Sequence, residues 1–125
     1  MNQKGLTYVE VLIVLAIIGI FALLATPSII KALNVARVKA AEMELDHIDS
    51  ALGLYSSANQ GRFPPDLDTL LKEKYLKNKK SMNDPFNRPY QYSSLSEGSE
   101  YILFSSGPDG AKGTSDDLFS PNSSR

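Results

Sequence analysis

A long uncharged apolar segment near the N-terminus constrains this chain more than any other feature. The chain begins MNQKG, and the apolar segment follows at once with a single carboxylate, Glu10, near its start. From Val11 to Ile30 the next twenty residues carry no charge. This length matches the roughly 20 apolar residues with which a helix crosses a hydrocarbon core of about 30 Å. We therefore predict a membrane-spanning helix over residues 6–30.

The polar leader does not have the layout of an ordinary secretory signal. Such a signal places its cleavage site after the apolar stretch, beside small residues. Here the small residue at a suitable cut, Gly5, precedes the apolar stretch, so cleavage would leave the helix on a mature protein beginning at Leu6. Glu10 would then be the fifth mature residue. Placing a charged side chain in the middle of a membrane-spanning helix costs on the order of 3 kcal/mol. A carboxylate close to such a helix therefore indicates a function, and we expect it to have a cationic partner.

The spacing of these residues resembles the class III leader of type IV pilins and type II secretion pseudopilins. The resemblance rests on KGLT at residues 4–7, on Glu10, and on Pro27, where many of these proteins carry a helix-kinking proline. It implies that residues 1–5 are a leader, that a prepilin peptidase cuts after Gly5, and that the amine of Leu6 is then methylated. On the apolar residues alone, the alternative is a plain single-pass anchor.

Composition and charge narrow the function classes. The 125 residues hold the anchor and one domain of about 90 residues, enough for a modest core. The net charge of −1 gives no broad basic surface, so we expect no nucleic-acid partner. The absence of cysteine excludes disulfides, thiolate metal sites and cysteine nucleophiles. His47 is expected in solvent and no serine has a base beside it in sequence, so we expect no enzyme.

The helix is predicted to continue past Pro27 as a soluble amphipathic helix over residues 31–58, the first part of a globular domain over residues 31–125. A 4-3-4-3 spacing places five side chains on one face: Ala41, Leu45, Ile48, Leu52 and Tyr55. The charged residues are expected on the other sides: Lys39, Glu42, Glu44, Asp46 and Asp49. Such a helix requires a partner surface for its apolar face.

Residues 59–83 are predicted to connect this helix to the rest of the domain. They open with turn-favouring residues and the pair Pro64-Pro65. Asp66 is suited to cap a short helix from Leu67 to about Lys74. The basic cluster is expected to be solvated surface: Lys72, Lys74, Lys77, Lys79 and Lys80.

Residues 84–125 are predicted to form a small antiparallel sheet and an acidic loop. Tyr90 and Tyr92 alternate with polar residues as in a half-buried strand, residues 100–105 are a compact apolar run, and Leu118-Phe119 are a third short strand. Three short strands beside one long helix indicate an α+β fold in which the sheet covers the apolar face of the helix.

The acidic loop lies between the last two predicted strands. Residues 106–117 read SGPDGAKGTSDD, with three carboxylates and three glycines. Glycines let a loop curl tightly, and Ca²⁺ takes roughly six to eight oxygen ligands from such mixtures. The spacing is not that of an EF-hand, so composition alone leaves a calcium loop and a solvated acidic turn equally open.

Over nearly its whole length the chain resembles the major pseudopilin of type II secretion systems. The matching residues occur in the same order: Leu54-Tyr55, Gly61-Arg62-Phe63-Pro64, Asp84-Pro85-Phe86, Tyr90 and the acidic loop. Phe86 stands where tryptophan is usual, and Asn87 where glycine is usual. The resemblance implies one bound calcium ion held by Asp109, Asp116 and Asp117, with the backbone of Ser106 and Ala111 as further candidates.

The resemblance also implies a structural function. The subunit would span the inner membrane once, with its globular domain in the periplasm, and assemble into a helical homopolymer that drives type II protein secretion. The implied partners are other copies of the chain, minor pseudopilins, the prepilin peptidase, the inner-membrane assembly platform and membrane lipid. In the filament core, Glu10 would be neutralised by the α-amine of Leu6, from a neighbouring subunit or from the same chain.

Three alternatives remain open on the sequence. The first is a type IV pilin or minor pilin used for adhesion, motility or DNA uptake. The second is a pseudopilin-like protein of a related secretion system with another cargo. The third is a membrane-anchored calcium-binding module that never polymerises.

Overall fold

The computed structural model of the protein describes residues 4–78 and 82–125. The elements in chain order are helix α1 (Tyr8–Ala58), helix α2 (Leu67–Lys72), strand β1 (Gln91–Leu95), a 3₁₀ turn (Ser96–Gly98), strand β2 (Glu100–Ser105) and strand β3 (Leu118–Phe119). The predicted α+β class is confirmed. The chain divides into two compact units, Met1–Asn34 and Val35–Arg125, which are described separately.

Helix α1 begins with a capping box. The N–H of Thr7 donates to Oε2 of Glu10 (2.8 Å), and the N–H of Glu10 donates to Oγ1 of Thr7 (3.3 Å). These reciprocal bonds satisfy two of the backbone donors that every helix start leaves without partners. The helix therefore begins at Tyr8 rather than at Leu6.

The first unit consists mainly of the apolar part of α1. Its large apolar side chains from Leu6 to Leu33 are 42% to 80% exposed. Within the described part of the chain, α1 is the one helix long and apolar enough to cross a membrane. Pro27 lies inside α1, so the helix continues past it as predicted.

The second unit has its core on the predicted face of α1. Ala41, Leu45, Ile48 and Leu52 are fully buried, and Tyr55 is half-buried. A single cluster joins this face to side chains from the connecting segment and from the sheet: Leu67, Leu70, Leu76, Tyr90, Tyr101 and Leu103. Burial of each large apolar side chain contributes about 1.5–3 kcal/mol. The sheet covers the amphipathic helix, as the sequence predicts.

The sheet has three antiparallel strands in the order β1-β2-β3. In β2, Tyr101, Leu103 and Ser105 are buried, while the alternating Ile102 and Phe104 are half-buried. The period of two along a strand places these two sets on opposite faces. All three strands lie where they were predicted, although β1 begins one residue after Tyr90.

In the connecting segment, the predicted cap and short helix are present, although the helix ends two residues before the expected Lys74. Oδ1 of Asp66 accepts a bond from the N–H of Thr69 (2.8 Å), the geometry of an N-cap, and α2 ends at Lys72. Three residues of the basic cluster are exposed: Lys72, Lys74 and Lys77. Lys79 and Lys80 lie outside the described residues.

Two acidic residues that were predicted on the other sides of α1 are instead partly or fully buried next to its apolar face. Glu44 is half-buried, and its Oε2 accepts a bond from the hydroxyl of Tyr90 (2.6 Å). Asp49 is only 9% exposed and accepts bonds from Tyr101, Ser120 and Asn122. Both lie beside the apolar stripe, where hydroxyl and amide groups of the C-terminal half reach them. The remaining charged residues of the pattern are exposed as predicted, together with His47: Lys39, Glu42 and Asp46.

Buried tyrosines are expected to make the fold sensitive to alkaline pH. Burial raises the pKa of Tyr90 and Tyr101 above the usual value, and the bonded carboxylates Glu44 and Asp49 add to the shift. The unfolded chain loses these phenolic protons above about pH 10 while the folded chain keeps them, so stability falls as pH rises beyond that point.

Thermal melting of the full chain in detergent micelles measures this effect. We expect a flat Tm between about pH 7 and 9 and a decline above about pH 10. Tyr101→Phe should reduce the decline, while Tyr8→Phe, at an exposed tyrosine, should leave it unchanged. An equally steep decline in Tyr101→Phe would contradict this account.

Candidate functional site

The first candidate site is the start of α1, which carries the predicted cleavage and assembly residues. Gly5 and Leu6 are exposed and lie outside the helix. Exposed, non-helical segments are preferred sites of proteolytic cleavage. Glu10 lies in the first turn, where its carboxylate is held by the N–H of Thr7. The helix dipole also favours a negative charge at this end. Pro27 is in the same helix but far along it, so it does not join this site.

The second candidate site is the acidic loop, residues 106–117, which folds on itself through its own amides. Asp109 donates its N–H to Oδ2 of Asp116 (3.1 Å), and Oδ1 of Asp109 accepts from the N–H of Ala111 (2.9 Å). The hydroxyl of Thr114 donates to Oδ1 of Asp116. This bond is the main reason that the pKa of Asp116 lies below its usual value, with the N–H of Asp109 adding to it. The loop therefore stabilises the carboxylate of Asp116 in the ionised form.

Asp117 carries a carboxylate oxygen that the described residues leave without a hydrogen-bond donor. Its Oδ2 accepts from the N–H of Gly113 (2.7 Å). Its Oδ1 is buried and has no hydrogen-bond partner within residues 4–78 and 82–125. An unsatisfied buried acceptor costs about 1–3 kcal/mol, more when it is charged. Carboxylate oxygen is the ligand type that Ca²⁺ prefers, so Asp117 fits a bound cation.

The predicted calcium ligands lie in one loop but do not form a preassembled cluster of carboxylates. Across the described ranges 4–78 and 82–125, no three acidic or histidine side chains come close enough together to hold a metal. The carbonyl of Ser106 accepts a bond from the N–H of Gly110 (3.2 Å). The carbonyl of Ala111 lies 3.0 Å from the hydroxyl oxygen of Thr114, whose one proton is donated to Asp116. A carbonyl has a second lone pair, so these oxygens can still serve as ligands. The ligand set of Asp109, Asp116 and Asp117 stays a prediction.

Gly107 lets the two ends of the acidic loop meet. It has a φ of +62°, and a Cβ at this position would lie 2.2 Å from the carbonyl oxygen of Asp116. A residue with a side chain would separate these two segments. Because Gly107 has no side chain, Asp116 can pack against the start of the loop, and Asp117 follows it there.

A turn over residues 84–89 supports the loop from outside, a contact that the sequence analysis did not predict. Oδ1 of Asp84 accepts the N–H groups of Phe86 (3.0 Å) and Arg88 (2.8 Å), and Oδ2 accepts the hydroxyl of Ser105 (2.7 Å). Nη1 of Arg88 donates to the carbonyl of Gly107 (2.8 Å). The available signal was Asp84-Pro85, since aspartate before proline favours a side-chain-capped turn.

The chain is similar to proteins of known families over most of its length. The family model described as Type II secretion system (T2SS), protein G matches residues 28–120, and that described as Prokaryotic N-terminal methylation motif matches residues 1–26.

Curated relatives cover most of the chain. Type II secretion system core protein G of Escherichia coli strain K12 is 30% identical over 94% of this chain and 90% of its own length. The protein of that name from Pseudomonas aeruginosa is 32% identical over 92% and 90%. Competence protein ComGC of Halalkalibacterium halodurans is 35% identical over 66% of this chain and 79% of its own length. No solved structure matches the chain.

Proposed function

The chain belongs to the type II secretion system protein G family, and from this membership we propose how its two candidate sites serve the assembled protein. It is a structural subunit of the pseudopilus in type II secretion. The observation that carries this function is the match over residues 28–120, which include most of the globular unit and the whole acidic loop. The methylation motif implies self-assembly and processing by a prepilin peptidase. The apolar start of α1 indicates an envelope protein anchored in the inner membrane.

At the N-terminal site, cleavage after Gly5 gives Glu10 a second partner. Before cleavage, the carboxylate accepts from the N–H of Thr7 as part of the capping box. Cleavage creates the α-amine of Leu6, a cation that can neutralise Glu10 when the helices leave lipid and pack in the filament core. A charge buried there without a cation would be strongly unfavourable. Because Thr7 and Glu10 both lie after the cut, the capping box persists in the mature chain and keeps the Glu10 carboxylate near the new amine.

The wider assembly follows from the same premise. The subunit spans the membrane once through residues 6–30, with its globular unit in the periplasm. It contacts other copies of itself, the minor pseudopilins and the inner-membrane assembly platform. Leaving the bilayer exchanges lipid contacts for protein contacts of similar polarity, so packing and the pairing of Glu10 determine which subunits assemble.

The acidic loop holds one calcium ion in this proposal. The unsatisfied Oδ1 of Asp117 supports it, because a cation there would remove the cost of burying that oxygen. Asp109 and Asp116 add negative charge in the same loop, and the carbonyls of Ser106 and Ala111 are further candidate ligands. A bound ion would attract ligands from both ends of the loop and so link the segment before β3 to the end of β2.

Calcium removal is expected to destabilise the globular unit. A ligand that binds only the folded state at a hundredfold excess over Kd stabilises it by about 2.7 kcal/mol. The measurement is the Tm of the full chain in detergent micelles, with excess calcium and with excess chelator. Asp117→Asn should abolish the difference between the two Tm values. Asp68→Asn, at an exposed carboxylate of α2, should preserve it. Equal Tm values in calcium and chelator for the natural chain would remove calcium from the proposal.

A second candidate function, in competence, is favoured by the similarity to the competence protein. That match covers 66% of the chain, while the core protein G of Escherichia coli covers 94%. Complementation separates the two functions. The chain should restore secretion to a strain lacking its core protein G and should not restore transformation to a strain lacking its competence pilin.

A further inference from the structure

We propose that Arg88 is a positioning residue that fixes the acidic loop, residues 106–117, in the conformation that receives the cation. Its guanidinium lies against the backbone of the loop at Gly107 and Gly110. Arginine has only donors, so Arg88 is not itself a ligand. Because this role rests on the proposed calcium site, its test includes measurements made without calcium.

The first support is that both polar backbone groups of Gly107 are held from outside the loop. Nη1 of Arg88 donates to the carbonyl of Gly107 (2.8 Å), and the N–H of Gly107 donates to Oγ of Ser105 (3.2 Å). Oγ of Ser105 in turn donates to Asp84 (2.7 Å), whose other carboxylate oxygen accepts the N–H of Arg88. These bonds form a closed circuit between the turn and the loop. Since Gly107 packs on Asp116, the circuit determines where the last two carboxylates lie.

The second support is the close approach of Arg88 to Gly110. A Cβ on Gly110 would lie 2.3 Å from Cζ and 2.5 Å from Nη1 of Arg88, so the guanidinium occupies the space of the missing side chain. Gly107 and Gly110 are three residues apart in the loop. One side chain therefore restrains the first half of the loop at two points.

The third support is charge. Arg88 places a positive charge beside a loop with three carboxylates. The charge reduces the mutual repulsion of the carboxylates before a cation arrives. The guanidinium contacts the loop backbone at Gly107 and Gly110, so it does not occupy any carboxylate oxygen that could bind the cation. A loop that is already ordered loses less conformational entropy on binding, so its affinity is higher.

A matched pair of glycine substitutions tests the contact. Gly110 and Gly113 have φ values of +71° and +81°, so alanine strains the backbone at both. Among the described residues nothing lies within 4 Å of a Cβ at Gly113, whereas Arg88 blocks one at Gly110. We expect Gly110→Ala to weaken calcium binding about tenfold more than Gly113→Ala. In a Gly110→Ala background, Arg88→Ala should then add little. Equal effects at the two glycines would contradict the contact.

Substitutions of Arg88 itself test positioning. We expect Arg88→Met to raise the calcium Kd of the full chain in detergent about tenfold or more, as measured by calorimetry. Arg88→Lys should restore part of the loss, because it keeps the charge but not the planar fork. The control is Tyr92→Phe, which removes a bond to the carbonyl of Pro64 (2.6 Å). It should lower Tm and leave Kd unchanged, which separates positioning from global stability.

Amide hydrogen exchange in chelator keeps the inference testable if calcium does not bind. The amides of Gly107 and Gly110 should be protected in the natural chain and should exchange faster in Arg88→Met. If the natural chain does not bind calcium, the calcium site fails, and faster exchange in Arg88→Met still supports loop positioning. If Arg88→Met changes neither Kd nor exchange of these amides, the positioning role is overturned.

Discussion

Glu10→Ala is expected to stop filament assembly while leaving the chain inserted in the membrane. Insertion depends on the apolar residues of α1, which this substitution does not shorten. In the proposed function, assembly depends on a pair between Glu10 and the amine of Leu6, and removing one member of a buried pair costs about 3–5 kcal/mol. Such a loss at every subunit contact is enough to prevent polymerisation. Sedimentation and electron microscopy of filaments, with carbonate extraction of membranes, measure the two properties separately.

The capping box supplies the matched controls for this experiment. Glu10→Gln removes the charge but keeps an oxygen that can accept the N–H of Thr7, so it should fail to assemble as Glu10→Ala does. Thr7→Ala removes the hydroxyl that caps the N–H of Glu10 and keeps the charge. It should weaken the helix start by about 1 kcal/mol and still assemble. A normal filament yield with Glu10→Ala would refute the pairing, and failure of Thr7→Ala alone would assign the effect to the cap.

Asp49→Ala is expected to cost the globular unit about 3–5 kcal/mol of stability. Three donors converge on this carboxylate, from the buried side chains of Tyr101 and Ser120 and from the exposed Asn122. Alanine would leave all three without their acceptor, and it would release the C-terminal segment from α1. Domains of this size are stable by only about 5–15 kcal/mol, so the variant should be partly unfolded at ordinary temperature.

Denaturant unfolding of the globular unit within the full chain, followed by the fluorescence of its tyrosines, measures this loss. Asp46→Ala is the control because Asp46 is an exposed carboxylate of the same helix, and it should lie within about 0.5 kcal/mol of the natural chain. Asp49→Asn should have an intermediate stability. Its side-chain oxygen can still accept hydrogen bonds, but its NH2 group would face the NH2 donor of Asn122. An Asp49→Ala variant as stable as Asp46→Ala would show that the three hydrogen bonds contribute nothing.

The features that the sequence predicted correctly depend on residues close together in the chain. The apolar run of α1, the spacing of its buried face, the cap at Asp66 and the strand over residues 100–105 are each defined within a few turns or pleats. Hydrophobic periodicity and capping preferences act over that range. The capping box could have been predicted in the same way, because its signature, Thr7 followed three residues later by Glu10, is local.

The tertiary structure decided which polar residues serve which purpose. Asp49 was expected on a side of the helix other than the apolar face, yet it is buried and its donor Asn122 is 73 residues away. Arg88 meets Gly107 across 19 residues, and neither position is marked by any periodic pattern. Partners at such separations are set by how the helix, turn and sheet pack. The sequence by itself determined the elements and the family of this chain, because both depend on local order. Only packing decided which carboxylates are buried and what holds the acidic loop, because hydrogen bonds form between groups that folding brings together.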